Sequence, residues 1–197
     1  EIPKRDWSSD VCSSDLLPEK KRPAKFHFDI VVAIDNEWGL AKDGQIPWKV
    51  PEELRYFKRL TTSASIGRRN AVIMGRKTWE SLPDKFKPLP DRMNFVITSD
   101  PITDVSNVHC FSDFDECLEV VKKLWARKII EDTFVIGGAR LYEVALKHPY
   151  FRALYMSHIH GNFDCDLFFP RLDGNWYDLA REYNGCWHTC VYARSPE

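Results

Sequence analysis

Two apolar runs that each stop at glycine and turn directly into a helical pattern constrain this chain more than any other feature. They are Val72-Ile73-Met74-Gly75-Arg76-Lys77-Thr78 and Phe134-Val135-Ile136-Gly137-Gly138-Ala139-Arg140-Leu141-Tyr142. Strand-like runs alternating with amphipathic helices need a sheet covered by helices, an α/β sandwich. Residues 28–34, 71–75, 94–98, 108–111, 133–137 and 154–160 read as strands, with a closing pair at 176–183 and 187–192. Residues 51–60, 77–81, 114–126 and 140–147 read as helices, and no internal repeat or second domain is visible. Glycine at a strand-to-helix junction lets backbone come close to an anion, and the helix start offers free N–H groups. Two such junctions on neighbouring strands could hold a dinucleotide, although each alone is an ordinary tight turn. The G-x-G-x-x-G fingerprint is absent, which argues against a doubly wound Rossmann domain. Arg76 and Lys77 beside the first junction suit a 2′-phosphate and hint at NADPH over NADH. The plain alternative is an exposed basic helix start, stronger for Lys77 than for Arg76.

The segment from Val50 to Leu60 carries an acid where a helix should carry only apolar groups. Pro51 sits at the helix start, where its missing N–H costs little. At about 100° per residue, Val50, Glu53, Phe57 and Leu60 share one stripe, while Arg55, Lys58 and Arg59 point away. Glu53 therefore faces the core and Glu52 does not. Burying an ionised carboxylate costs several kcal/mol unless donors answer it. Glu53 is either a functional acid or the partner of an internal Arg or backbone amide, and the helix alone does not choose.

Composition narrows the function classes. A net charge of -1 on 197 residues suggests neither a nucleic-acid nor a membrane-surface partner, and 44% apolar residues support one folded domain. No apolar run reaches the length of a membrane span and no signal-like segment opens the chain, so the expected location is the cytoplasm. The six cysteines show no C-x-x-C spacing and the six histidines no H-E-x-x-H, which argues against a metal site. His158 and His160 alternate on an expected strand, and the thiols read as small hydrophobes. Residues 1–16, EIPKRDWSSDVCSSDL, resemble translated sequencing-adapter sequence. Residues 18–25 read as a charged tether, so 1–25 are expected to be disordered and 26–197 to form the domain. Between the first strand and the Glu53 helix, Gly39 and Gly44 bracket a segment expected to be mobile, returned to the core by Pro47-Trp48. It is either a flap over a ligand or a plain surface connection.

Taken together, the motifs V-V-A-I-D, G-L-A-K-D-G-Q-I-P-W, P-E-E-L-R-Y-F, V-I-M-G-R-K-T-W-E-S-L-P, K-P-L-P-D-R-M-N, F-V-I-G-G-A-R-L-Y and L-Y-M-S-H-I resemble dihydrofolate reductases, in family order and near family spacing. The resemblance implies a three-layer α/β sandwich with a mixed, mostly parallel sheet of about eight strands and about four helices. It implies NADPH-dependent reduction of 7,8-dihydrofolate to tetrahydrofolate, with hydride reaching pterin C6 and a proton reaching N5. By resemblance, Glu53 grips the pterin edge, Trp48 packs beside it and Ser157 supplies a hydroxyl to the acid, where the family more often has Thr. Val31, Val32, Phe57, Leu82 and Ile136 become walls of the substrate site, with core as the alternative for each. Arg92 becomes the clamp for the substrate's carboxylate tail, and Tyr142 lies by the nicotinamide pocket. The implied NADPH contacts are Ala33, Gly39, Leu40, Ala41, Lys42, Asp43, Gly44, Gln45, Gly75, Arg76, Lys77, Thr78, Thr98, Ser99, Gly137, Gly138, Ala139, Arg140, Leu141 and Tyr142.

The chain departs from the family at Ala41, Ala139 and Asp91, where glycine is common, and at Ser99, which is basic in some members. Asp91 is positioned to pull on Arg92, and Ser99 leaves a 2′-phosphate with fewer cationic partners. The implied partner is dihydrofolate alone, and the implied state a monomer unless fused to a thymidylate synthase. Three other readings stay open: the reductase half of a truncated bifunctional enzyme, a non-catalytic folate binder, and a riboflavin-pathway reductase, which would not need the Trp48 and Glu53 pair.

Overall fold

A computed structural model describes residues 25–194 apart from 104, 173 and 175. The expectations for residues 1–24 and 195–197 lie outside the described residues. In chain order the elements are β1 (Phe28–Ile34), β2 (Gly39–Ala41), α1 (Pro51–Thr62), β3 (Arg69–Gly75), α2 (Arg76–Ser81), β4 (Arg92–Ile97), β5 (Val108–Phe111), α3 (Phe114–Ala126), β6 (Ile130–Val135), α4 (Ala139–Lys147), β7 (Phe151–Ile159), β8 (Leu167–Phe168), β9 (Trp176–Asn184) and β10 (Trp187–Arg194). A single 3-10 turn, Asp84–Phe86, precedes β4.

Eight strands form one sheet in the order β5-β4-β3-β6-β1-β7-β10-β9. The first six are mutually parallel, and β10 and β9 close one edge antiparallel. Alternate residues along each strand enter different layers. Phe28, Ile30, Val32 and Ile34 of β1 join Ala71 and Ile73 of β3 under the buried residues of α3 and α4. Val31, Val72 and Met74 face the opposite way, against Leu60 of α1 and Trp79 of α2. The result is the expected three-layer sandwich. With both faces covered, the central strands read as continuous apolar runs rather than alternating ones.

The order of the strands positions the site. β3 leads through α2 to its outer neighbour β4, whereas β6 leads through α4 past β1 to β7 on the other side. Neighbouring parallel strands whose exits diverge leave a crevice at their carboxyl ends, the usual ligand position in open α/β sheets. Both glycine junctions lie there, because β3 ends at Gly75 and β6 runs into Gly137.

The expected elements all form, with different ends. β6 and β7 begin three residues earlier than expected, because polar residues such as Glu131, Asp132 and Arg152 still take part in the ladder. α1 runs on to Thr62, and the hydroxyls of Thr61 and Thr62 donate to the Phe57 and Lys58 carbonyls at 2.8 Å each. A small second sheet, β2 with β8, had no legible signal, since its strands are three and two residues long. Among the described residues no helix is long and apolar enough to cross a membrane.

Asp91, where the resemblance implies glycine, has a φ of 63°, in the left-handed region. Glycine adopts that conformation freely, and Asp tolerates it better than most side chains. Replacing Asp91 with Val should cost about 1–2 kcal/mol, while Asp91→Gly should cost nothing. Urea unfolding of the two variants checks this, and a Val variant as stable as the parent would contradict the argument.

Candidate active site

Glu53 lies in the first turn of α1, where the helix dipole favours an acid. Its side chain is buried, with 7% exposure, while Glu52 is exposed and pairs with Arg55 at 2.8 Å. Burial pushes the Glu53 carboxyl up to about 6, and its polar neighbour, the Ser157 hydroxyl on β7, pulls back only part of that shift. Among the described residues no Lys or Arg lies within ion-pair distance of Glu53, so the cation-paired alternative does not hold. Ser157 sits beside Ala33 of β1 on one side and Thr189 of β10 on the other.

Aromatic rings close this corner. Trp48 is buried in a cluster with Ile159 and Trp187, joined by Ala33, Val50 and Tyr56, and meets Phe163 edge-on at 5.5 Å. Val31 is buried on the α1 side, and Phe57, Leu82 and Ile136 pack half-buried against the same cluster. Val32 behaves differently. Its side chain points into the α3 and α4 layer, so only its backbone is left to the Glu53 side.

Tyr142 links the acid to the glycine junctions. Its hydroxyl donates to the Val31 carbonyl at 2.9 Å, and burial, with the Glu53 charge nearby, pushes its pKa well up. The two junctions are joined directly, with the Gly75 N–H donating to the Gly137 carbonyl at 2.7 Å. A Cβ on Gly137, whose φ is 128°, would come within 3.1 Å of the Thr78 hydroxyl and 3.3 Å of the Tyr142 hydroxyl. One on Gly138 would come within 3.2 Å of Thr78. Side chains are thus excluded from the cradle between β3 and β6. α4 opens at Gly138 with no side-chain cap, followed by Ala139 and Arg140, with Leu141 buried beneath.

Arg76, Thr98 and Ser99 gather at the ends of β3 and β4. The Thr98 hydroxyl and Asp100 backbone bond each other at 3.1 Å, and Arg76 donates to the Asp100 carbonyl at 3.0 Å. Arg76 is not a free cation, because its Nε pairs with Glu80 at 2.6 Å. Lys77 is exposed. Glycine-lined backbone, an uncapped helix start, two Thr hydroxyls and a basic group form a donor set that fits a nicotinamide dinucleotide.

Arg92 is buried over the Phe57 ring at 5.8 Å, and burial pulls its pKa down to about 10, although Asp91 opposes the shift. Its NH1 donates to Thr61 at 2.7 Å and its Nε to the Pro90 carbonyl at 3.0 Å. Among the described residues no carboxylate stands within ion-pair distance of it, so the expected pull of Asp91 acts only at a distance. Thr61 escaped the sequence reading, although it lies one helical turn beyond Phe57 on the stripe that carries Glu53. Asn94 also escaped it. That side chain is buried and bonds both the N–H and carbonyl of Leu89 at 2.9 Å, shaping the loop that presents Arg92.

The 39–48 segment is less free than its glycines suggested. Gly39 is buried, begins β2, and has no room for a Cβ, which would fall 2.4 Å from that of Cys165. Asp35, also unremarked in sequence, holds the base of the segment by accepting from Gly39 at 2.7 Å, Glu37 at 2.9 Å and Phe163 at 3.1 Å. Burial pushes the Asp35 carboxyl up, but these amides outweigh it and leave the pKa low. Leu40 packs toward the α3 and α4 layer, and Lys42, Asp43, Gly44, Gln45 and Ile46 form an exposed tip after Ala41.

A dihydrofolate reductase family model matches residues 27–187. The chain is 40% identical over 154 residues to a dihydrofolate reductase of Schistosoma mansoni, covering 78% of this chain and 82% of the relative. It is 39% identical over 158 residues to the Heliothis virescens dihydrofolate reductase, covering 78% and 83%. Against a Glycine max bifunctional dihydrofolate reductase-thymidylate synthase, identity is 37% over 165 residues, covering 82% of this chain but 30% of that protein. The solved Schistosoma mansoni dihydrofolate reductase superposes with a TM-score of 0.74 at 34% identity, covering 87% of this chain and all of that one.

The Asp35 anchor has a testable cost. Asp35→Ala strands buried amides and should lose on the order of 3 kcal/mol, with Asp35→Asn between it and the parent. Because the folded pKa is low, the ionisation-linked part is complete above about pH 4 and disappears as acid protonates the carboxyl. Denaturant unfolding across pH reads both, and an Ala variant within error of the parent would refute the anchor.

Proposed function

The chain belongs to the dihydrofolate reductase family, and we propose that it reduces 7,8-dihydrofolate to 5,6,7,8-tetrahydrofolate with NADPH. The observation that carries this reading is Glu53, an acid without a cation, buried beside Ser157 and next to a glycine-lined cradle. The edge of a pterin presents two parallel donors, and a buried carboxylate accepts both in a fork, which offsets its desolvation. Trp48 shields that contact from bulk water, and Val31, Phe57, Leu82 and Ile136 flank the substrate's rings. Val32 contributes backbone. Arg92, its planar guanidinium oriented by Thr61 and the Pro90 carbonyl, receives the carboxylate of the substrate's tail bidentately.

Gly75, Thr78, Thr98, Arg76 and the start of α4 hold the cofactor, with Ala33, Tyr142 and the 39–45 segment toward its nicotinamide end. When bound, the cofactor supplies the hydride that pterin C6 accepts. The chain contributes position, dryness and a proton for N5, for which Glu53 is the nearest buried acid. The same reading has residues 26–197 acting as a cytoplasmic monomer, with dihydrofolate as its only partner.

A carboxyl titrating near 6 is protonated in part at neutral pH and fully in mild acid. Turnover should therefore fall as pH rises through about 6, and Glu53→Gln should flatten that profile and lose roughly 10²–10⁴-fold in rate. NADPH absorbance on adding dihydrofolate reads both, and full turnover by the Gln variant would end the assignment. Stability runs the same way. The raised pKa makes ionisation unfavourable to folding, so the parent loses up to about 2 kcal/mol between roughly pH 4.5 and 6, a loss Glu53→Gln escapes.

The Arg76–Glu80 pair is exposed, spans one helical turn and contributes little to stability, but it competes with a 2′-phosphate for the guanidinium. Glu80→Gln should raise the ratio of kcat/KM for NADPH over NADH several-fold, and Arg76→Ala should lower it. Unchanged ratios in both variants would remove Arg76 from the phosphate site.

A further inference from the structure

On the sheet face opposite Glu53, β7 and β10 bring together three side chains with metal-ligand chemistry that the reductase reading leaves unused. His158 lies directly across the antiparallel ladder from His188, and Cys190 follows His188 two residues on, in register with Met156. Their donor atoms all lie within 4.8 Å of one another. The His158 and His188 rings are stacked with centroids 4.6 Å apart. His160 adds a third imidazole, its Nε2 2.9 Å from the Nδ1 of His188. The cluster is invisible in residue spacing because its members come from two strands distant in sequence.

We propose that His158, His188 and Cys190 form a binding site for one Zn²⁺ ion. Two imidazoles and a thiolate suit a borderline-soft divalent ion, and three protein donors leave one tetrahedral position for water. Bond lengths of about 2.0–2.3 Å put the ligand atoms of such a site roughly 3.3–3.8 Å apart. The donors must therefore close by about an ångström, a change within reach of side-chain rotation.

The surroundings favour that closure. The bond from His160 takes one nitrogen of His188 and leaves the other for an ion, and the Tyr192 hydroxyl stands 3.4 Å from Nε2 of His158. Outer partners of this kind orient ligating imidazoles. Tyr183 stacks on His188 at 5.2 Å from the edge strand β9. Arg181 on β9 opposes a cation, but its charge is answered by Asp178 at 2.7 and 3.0 Å. Cys190 is fully buried, so its thiol is the inner donor of the three, with the half-buried His158 and His188 toward the surface.

The test is a Co²⁺ titration of the reduced 197-residue chain, followed by absorption, with Zn²⁺ as competitor. One equivalent should saturate the site, produce a thiolate-to-cobalt charge-transfer band and four-coordinate ligand-field intensity, and be displaced by Zn²⁺. Cys190→Ser should abolish the band. His188→Gln, with folding verified by retained dihydrofolate reduction, should weaken Co²⁺ binding by roughly ten-fold or more. Cys186→Ser, which removes an exposed thiol of the same hairpin, should change neither. Failure to saturate at one equivalent, a band that survives Cys190→Ser, or undiminished binding in His188→Gln would each overturn the site.

Discussion

A carboxyl group kept from water, with only a hydroxyl among the described residues to answer it, is the constraint around which this molecule is arranged. Glu53 is tolerable because α1 presents it from its first turn and because Trp48, Ile159 and Trp187 close the corner without supplying a cation. The electrostatic tension is left for a ligand to relieve. An Arg in that corner would have made a more stable protein with a lower carboxyl pKa and no fork to offer. Ser157, in register between Ala33 and Thr189, can orient the acid without neutralising it.

The second dependence is topological. Because β3 and β6 are neighbours whose chains leave in opposite directions, two sequence-distant glycine junctions meet and hydrogen-bond to each other. The cradle is backbone, fixed by the sheet, and the residues around it are chosen by what they leave out. That separates the two halves of the site. The acid corner depends on side-chain burial, and the cradle on the absence of side chains.

Much of this was legible in the residues. Helical periodicity alone puts Glu53 inward, and the strand-like runs locate all eight strands of the main sheet. What escaped depends on contacts between elements distant in sequence, or on backbone amides. Thr61 lies on the right stripe but is an unremarkable helix-end residue until Arg92 is seen to donate to it. Asn94 and Asp35 act through backbone amides that no side-chain pattern records. Val32 shows the converse limit, since a motif match cannot say that alternation along β1 turns this side chain away while its neighbour Val31 turns toward the acid. Arg76 stands beside the first junction but is not free, because Glu80 four residues on already holds it.

The 39–48 segment is built as a post with a cantilever. Its root is locked by amides on a buried carboxylate, a contact that dissolved ions barely screen. Its tip is held to the loop before β8 by surface acids, Asp166 accepting from the Asp43 N–H at 2.9 Å and Asp164 lying 3.7 Å from the Lys42 ammonium. Exposed charge pairs fade within a Debye length as electrolyte rises. Ionic strength therefore acts on the outer few residues alone, giving the cell's salt a handle on how the tip rests while the base stays rigid.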